Sequence, residues 1–299
     1  MKTVEATSNP KQRSLWVETW RRLKKDKLAI VGMIFILLLF CIAISTIVID
    51  LVTHKSFYDA YVIKQNLRMR FKGPSKDHIF GLDEFGRDIF LRMLWATRYS
   101  LFMGTFAIAI ATVIGGTLGA VAGYYGKATD NVIMRFMDIL LAIPSMLLAT
   151  AIVAALGTSL TNVLIAIAIS YIPTFARTVR ASVLTVKDQE FVEAARALGA
   201  SDFRIIFKYI IPNSLAPLIV QATLGVAGAI LSVAGLSFLG LGIQPPTPEW
   251  GSMLSNARSY IREGWHLTVI PGLGIMLTIL SLNIMGDGLR DALDPRLKN

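Results

Sequence analysis

Apolar positions in this chain fall in long charge-free runs, not in the strict alternation of a half-buried strand or the stripe of a soluble helix. Leu28–Ile49 is 22 residues without a charge, between Lys27 and Asp50. At 1.5 Å per residue it reaches about 33 Å, enough to cross a hydrocarbon core of about 30 Å. A second run extends from Tyr99 to Gly126, and a third, Ile139–Ala176, has 38 residues and is too long for one helix. Within it, Gly157-Thr158-Ser159 followed by Thr161-Asn162 predicts a turn between two spans. The run Tyr209–Pro248 predicts one span from about Pro217 to Leu239, flanked by Pro212 and by Pro245-Pro246-Thr247-Pro248. The last run, Gly264–Gly286, stops at Asp287. The pattern predicts an all-α membrane protein with six transmembrane helices. The first run exceeds the usual 7–15-residue apolar stretch of a signal peptide and lacks a small-residue cleavage pattern after it, so it is expected to stay as an anchor.

The polar segments carry patterns of their own. Between Arg13 and Lys27, Trp16, Trp20 and Leu23 recur at helical spacing among basic residues. Such a helix suits the lipid headgroup plane, with a partner-docking surface as the alternative. Residues 50–98 hold Gly81, Asp83, Glu84, Gly86, Arg87 and Asp88. The acidic spacing lacks the alternating ligands of a calcium loop, so a turn followed by a helix capped by Asp88 or a nearby residue is expected. In 177–216, Phe191, Ala194, Ala195 and Leu198 recur at helical spacing, Gly199 gives a stop, Ser201 is placed to cap a second short helix, and Pro212 is expected to end it. This helix–glycine–helix hairpin either lies on the membrane or seats in a partner's groove.

Composition and charge then set the sidedness. The chain is 54% hydrophobic and 17% charged, with a net charge of +10; soluble domains carry about 25% charged residues. Eight basic residues lie in 1–27, six in 177–208, two at Lys127 and Arg135 and three after Asp287. The turn 157–162 has none and 240–266 has two. Basic residues accumulate on the cytoplasmic side of short loops, so both termini are expected to be cytoplasmic. The expected organisation is a cytoplasmic amphipathic segment 1–27, a first transmembrane helix 28–49, an extracellular loop 50–98, a five-helix core 99–289 containing the cytoplasmic loop 177–216, and a tail 290–299. The basic surplus is membrane topology, with no nucleic acid as partner. A single cysteine, Cys41, excludes an intrachain disulfide and any cysteine metal cluster.

Glu193-Ala194-Ala195, three residues, Gly199, nine residues and then Tyr209-x-Ile211-Pro212 resemble the EAA signature of bacterial ABC importer permeases. Tyr209 and Ile211 stand where the signature has Ile and Leu. Gly81-x-Asp83-x-x-Gly86-Arg87-Asp88 is similar to a stretch of the oligopeptide, dipeptide and nickel permeases, with Leu82 in place of the usual Thr. Gly123-Tyr124-Tyr125-Gly126, Met134-Arg135-x-x-Asp138, Ala142-Ile143-Pro144, Pro212–Pro217, Gly235–Gly242 and the segment from Gly286 to Arg296 also resemble that subfamily. The likeness spans roughly residues 15–298 and points to its C-type subunit, with type I importer architecture in the bacterial cytoplasmic membrane.

The chemistry of an ATPase is missing from the sequence. Gly126-Lys127-Ala128 lacks the hydroxyl and the upstream glycine of a phosphate loop, and the three histidines show no paired metal spacing. No cofactor or metal is expected on this chain. The resemblance implies ATP and Mg on two cytoplasmic ATPase subunits, a homologous B-type permease subunit as heterodimer partner, and an extracellular or periplasmic peptide-binding protein. It also implies that Glu193, Ala194, Ala195, Ala197, Leu198, Gly199 and Ser201 couple to an ATPase, with Ala194 and Ala195 permitting close approach. Membrane lipid is the remaining partner. Gly115-x-x-x-Gly119-x-x-x-Gly123 lines one helix face and is expected to pack within the chain, with a seam to another subunit as alternative. Thr150, Asn162, Ser170, Thr174 and Gln221 are the uncharged polar candidates for the pathway. The expected function is a non-catalytic permease subunit of a peptide importer. Nickel or another small solute is the alternative cargo, and a self-sufficient secondary carrier is the alternative class.

Overall fold

The structure, a computed structural model, describes residues 15–293. Its helices are α1 (Leu15–Leu23), α2 (Lys27–Val52), α3 (Ile89–Tyr125), α4 (Lys127–Leu141), α5 (Ser145–Leu156), α6 (Leu160–Val186), α7 (Glu190–Ala197), α8 (Asp202–Arg204), α9 (Ile211–Asn213), α10 (Leu215–Phe238), α11 (Trp250–Ala257) and α12 (Trp265–Leu293). Among the described residues there is no strand, only a lone bridge between Leu82 and Asp88. Five helices (α2, α3, α6, α10 and α12) are long and apolar enough to cross a membrane, and the bent pair α4–α5 meets the same standard only when its two halves are counted as one span.

Contacts at the two ends of the bundle fix the direction of each pass. At one end Leu23 and Ala29 pack on Ala292, and the hydroxyl of Tyr124 donates to Asp202 at 2.7 Å. At the other, Asp50 meets Trp95 and Arg98, and His266 lies against the carbonyl of Leu82. The first described helix, the 187–213 hairpin and the end of α12 therefore share the end that the basic residues mark as cytoplasmic. Leu23 of the expected interfacial stripe is buried on α12, whereas Trp20 stays exposed with the Lys24 ammonium 5.2 Å from its ring centre. The side chain of Trp16, and the calls on residues 1–14 and 294–299, lie outside what is described.

Local chemistry sets several helix starts. Asp26 accepts from the amides of Leu28 and Ala29 ahead of α2, and Asp88 accepts from Leu91 ahead of α3. Because Asp88 starts α3 ten residues before the charge-free run, the helix has 37 residues and its first turns stand above the membrane core.

The third span differs from expectation. Pro144 has no amide proton and disfavours helical backbone at Ile143, and the chain bends by 85° between α4 and α5. α4 lies across α6: Asp130 pairs with Arg180 and Asp138 with Arg177. Eight residues along α4, about 12 Å, thus match three along α6, about 4.5 Å. Only α5 runs back alongside α6, and its 12 residues reach about 18 Å, short of a full crossing.

The bundle is knit chiefly by α3 against α6. A Cβ on Gly115 would lie 2.5 Å from the carbonyl oxygen of Ile172, and one on Gly119 would lie 2.2 Å from that of Ala176. The glycine stripe is thus a seam within the chain, where the absence of side chains lets two backbones touch. Ala107, Ala111, Ile167, Phe175 and Ala176 fill the core beside it, and Ala229 and Val233 close it from α10.

Candidate functional site

The cytoplasmic hairpin is built by its own short-range chemistry. Glu190 and Glu193 occupy the first turn of α7 and Arg196 the last, each at the end where the helix dipole favours its charge. Gly199 has φ +79°, the left-handed conformation that stops a helix, and the amide of Ala200 returns to the carbonyl of Ala195 at 3.1 Å. Ser201 then caps α8 by accepting from the amide of Arg204. Pro212 does not end this second arm. A π turn over Ile205–Ile210 precedes it, and Pro212 falls in the first turn of α9, where its missing amide is not needed. The arm stops at Ser214, whose hydroxyl donates to the carbonyl of Ile210.

The expected coupling residues divide between two faces. Val192 and Ala195 point inward, Val192 packing with Val183, Val186, Ile205 and Ile206. Ala195 is therefore held within the hairpin and is not offered to a partner. Glu193, Ala194, Ala197, Leu198, Gly199 and Ser201 are exposed. Leu198 is 88% exposed and Phe203 72%, large apolar area left in water at a cost of about 25 cal/mol per Å². The rings of Phe203 and Phe207 lie 4.5 Å apart and, with Ser201, Arg204, Lys208 and Pro212, line a cleft of about 590 Å³. The hairpin is tied to the bundle through Tyr124–Asp202 and through the Lys187 ammonium, which donates to the carbonyl of Gly123 at 3.2 Å. Sequence reasoning passed over Phe203 and Phe207; two aromatics at i and i+4 on a charged cytoplasmic arm were the available signal.

The outer segment 53–88 is a folded cap and not an open loop. One oxygen of Asp83 accepts from the amides of Phe85 and Arg87 at 2.9 Å, and the other from Arg87 Nε at 2.7 Å. Arg92 Nε lies 3.4 Å from that second oxygen. Gly86, at φ +70°, passes so close to Asn66 that a Cβ would overlap its carbonyl. Gly81, Asp83, Gly86, Arg87 and Asp88 therefore serve as a self-satisfied turn, with Asp88 also held by His78 Nδ1 at 2.8 Å. Burial pushes the Glu84 carboxyl above its ordinary range, and the charge of Asp83 adds to this.

Charges that bounded the apolar runs meet in space. Asp50, which closes the first run, accepts from Arg98, which opens the second, at 2.6 Å and from Trp95 Nε1 at 2.9 Å. Arg92 donates to the carbonyls of Val62 and Pro246 at 3.4 and 3.3 Å. Glu249, 1% exposed, accepts from Ser100 and from the amides of Gly251 and Ser252, starting α11. This short helix, unanticipated between the prolines and the last span, packs on α10 and α12 and closes the outer end.

The pathway candidates do not converge. Asn162 closes the α5–α6 turn by donating to Leu156 and Gly157. Thr150 and Ser170 bond back to their own helices, at Met146 and Ala166. Thr174 is half-buried on α6, and Gln221 is half-buried on α10.

Residues 115–299 match the family described as binding-protein-dependent transport system inner membrane component, and residues 14–74 match the N-terminal TM domain of oligopeptide transport permease C. The chain is 52% identical over 286 residues to the dipeptide transport system permease protein DppC of Alkalihalophilus pseudofirmus, covering 96% of this chain and 91% of that one. It is 46% identical to the glutathione transport system permease protein GsiD of Escherichia coli, over 96% and 92% of the two chains. It is 45% identical to the di/tripeptide transport system permease protein DppC of Pseudomonas aeruginosa, over 94% and 92%. Its fold is similar to the inward-facing MetNI methionine ABC transporter, with TM-score 0.57 and 19% identity over 68% of this chain and 97% of that one. A bundle of five long apolar helices and one bent pair, a hairpin standing off the end where α12 finishes, and these relatives together place the chain in the family of binding-protein-dependent ABC importer permeases, as a multi-pass protein of the bacterial inner membrane.

Proposed function

We propose that this chain is one half of the translocation pathway of an ATP-driven importer of short peptides. The relatives named for dipeptides, di/tripeptides and glutathione support that cargo class. A homologous B-type permease forms the other half, an external binding protein selects the peptide, and two cytoplasmic ATPase subunits bind ATP and Mg. This chain holds no cofactor and catalyses no reaction. The observation that carries the coupling role is Leu198, 88% exposed at the tip of a hairpin otherwise fixed to α3. A rigid arm with an uncovered apolar tip transmits the movement of whatever covers it. Glu193, Ala194, Ala197, Leu198 and Ser201 then form the seat on the ATPase, with Gly199 setting the angle and Ala195 holding α7 against its own base.

The test is uptake of a labelled dipeptide by proteoliposomes containing the whole complex and its binding protein. Gly199→Val should leave the complex assembled while uptake falls to background, because a β-branched residue is strongly disfavoured at φ +79°. Normal uptake by an assembled Gly199→Val complex removes the coupling role. Uptake by the wild type without ATP would instead favour a secondary carrier.

A further inference from the structure

We infer that the α4–α5 break, centred on Ile143, Pro144 and Ser145, faces water in the assembled transporter and forms part of the wall of the translocation pathway. The inference rests on the importer reading above and identifies a stretch of wall that the polar residues of the sequence did not reveal.

Depth is the first observation. Twelve residues of α5 separate the break from the outer turn, about 18 Å. Ser145 also shares a small cavity with Ser170 and Tyr171, and Tyr171 lies about 16 Å down α6 from Leu160. Both routes put the break near the middle of a core of about 30 Å.

Backbone chemistry is the second. Pro144 stands at the start of α5 with no side chain capping it. The Ala142 amide still reaches the carbonyl of Asp138 and the Leu148 amide that of Pro144, which leaves the amides of Ser145, Met146 and Leu147 and the carbonyls of Ile139, Leu140 and Leu141 beyond the regular helical pairing. Unpaired backbone groups are not tolerated against lipid; at that depth they occur only inside protein or along water.

Exposure is the third. Residues 141–147 are all exposed on the subunit; Met146 lies partly against α10 at Gly235, whereas Ile143 and Leu147 are 43% and 61% exposed, so the subunit's own helices cover the break only in part. Below the break, one turn earlier on α4, the Asp138–Arg177 pair has side chains 46% and 54% exposed. An ion pair half open to hydrocarbon would be costly, whereas α2 shows what lipid contact looks like here: Val31, Ile34, Leu37 and Leu38 are exposed with no polar group among them. A dry seam against another subunit would have to satisfy both the backbone and the ion pair; water satisfies both at once.

The sole cysteine makes the test direct. In a Cys41→Ser complex, single cysteines are placed at Ile143, at Ser145, at Leu37 as lipid control and at Ser201 as cytoplasmic control. Labelling uses a charged methanethiosulfonate reagent on inside-out vesicles, with and without ATP and vanadate. The thiolate is the reactive species and needs water to form, so Ile143→Cys or Ser145→Cys should label within about tenfold of Ser201→Cys in one of the two states, and Leu37→Cys at least about a hundredfold more slowly. Labelling of both break positions at the Leu37→Cys rate in both states overturns the inference, whether lipid or a dry seam covers them. If one break variant fails to assemble, the other decides. Dipeptide uptake by the Cys41→Ser complex is measured alongside. Loss of uptake with fast labelling removes the peptide reading and leaves the water-facing wall standing; uptake with slow labelling removes the wall alone.

Discussion

The α3–α6 seam allows a comparison between two glycines three residues apart on one helix. At Gly119 an added Cβ would sit 2.2 Å from the carbonyl oxygen of Ala176 and 2.9 Å from its carbonyl carbon; at Gly116 the nearest atom, a methyl of Val179, is 3.8 Å away. Ordinary contact lies at 3.4–4 Å, so Gly119→Ala forces the helices about 1 Å apart, with backbone on both sides and no side chain free to rotate away. Overpacking costs about 1–3 kcal/mol, and this geometry belongs at the upper end. Any gain in helix propensity, up to about 1 kcal/mol for Gly→Ala, is common to both positions and cancels. Gly119→Ala should therefore be less stable than Gly116→Ala by about 3 kcal/mol, a ratio of about 150 in the folding equilibrium. The assay is the denaturation midpoint of the purified complex in mild detergent, followed by loss of the monodisperse peak in size-exclusion chromatography. Gly116→Ala should match or exceed the wild type and Gly119→Ala should fall clearly below it. Equal midpoints for the two variants would refute close backbone contact at this seam.

Two other predictions concern the outer end. Asp50→Ala leaves Arg98 buried without its carboxylate and should destabilise the outer cap by about 3–5 kcal/mol, read as faster proteolysis within 53–88; Asp50→Leu with Arg98→Leu should recover much of that loss, and unchanged proteolysis of Asp50→Ala would count against the pairing. For Glu84, burial raises the folded-state carboxyl above its unfolded value of 4.5, so its contribution to stability is greatest below the unfolded value and is lost as pH rises through the folded one. Glu84→Gln cannot ionise, so its cap should resist proteolysis better than wild type at about pH 7 and equally at about pH 4; no difference at the higher pH would contradict the shift.

Features governed by neighbours within a turn were legible in the sequence. Asp88 caps α3, Ser201 caps α8, and Gly199 ends the first arm of the hairpin, all as expected. Each depends on a side chain or a φ angle acting over three or four residues. Pro212 misled because an absent amide stops a helix only where that amide is needed, and the π turn before it moved the position to a helix start. Of the hydroxyl side chains named for the pathway, Thr150 and Ser170 bond back to carbonyls of their own helices, a local pairing that a polar residue type does not reveal in the sequence.

The sequence by itself located the five long apolar helices α2, α3, α6, α10 and α12 and the hairpin that follows α6, because charge is expelled from hydrocarbon and its absence is readable one residue at a time. Only the tertiary structure decided which faces meet. It joined Asp50 to Arg98 and Ser100 to Glu249, turned Ala195 inward, set the glycines of α3 on α6, and laid α4 across that helix ahead of the 85° bend. In water, the contrast between apolar and polar sides tells which face of a helix is buried. In a membrane the lipid-facing side is as apolar as the packed one, so periodicity falls silent and close packing of small residues, helix by helix, makes the choice.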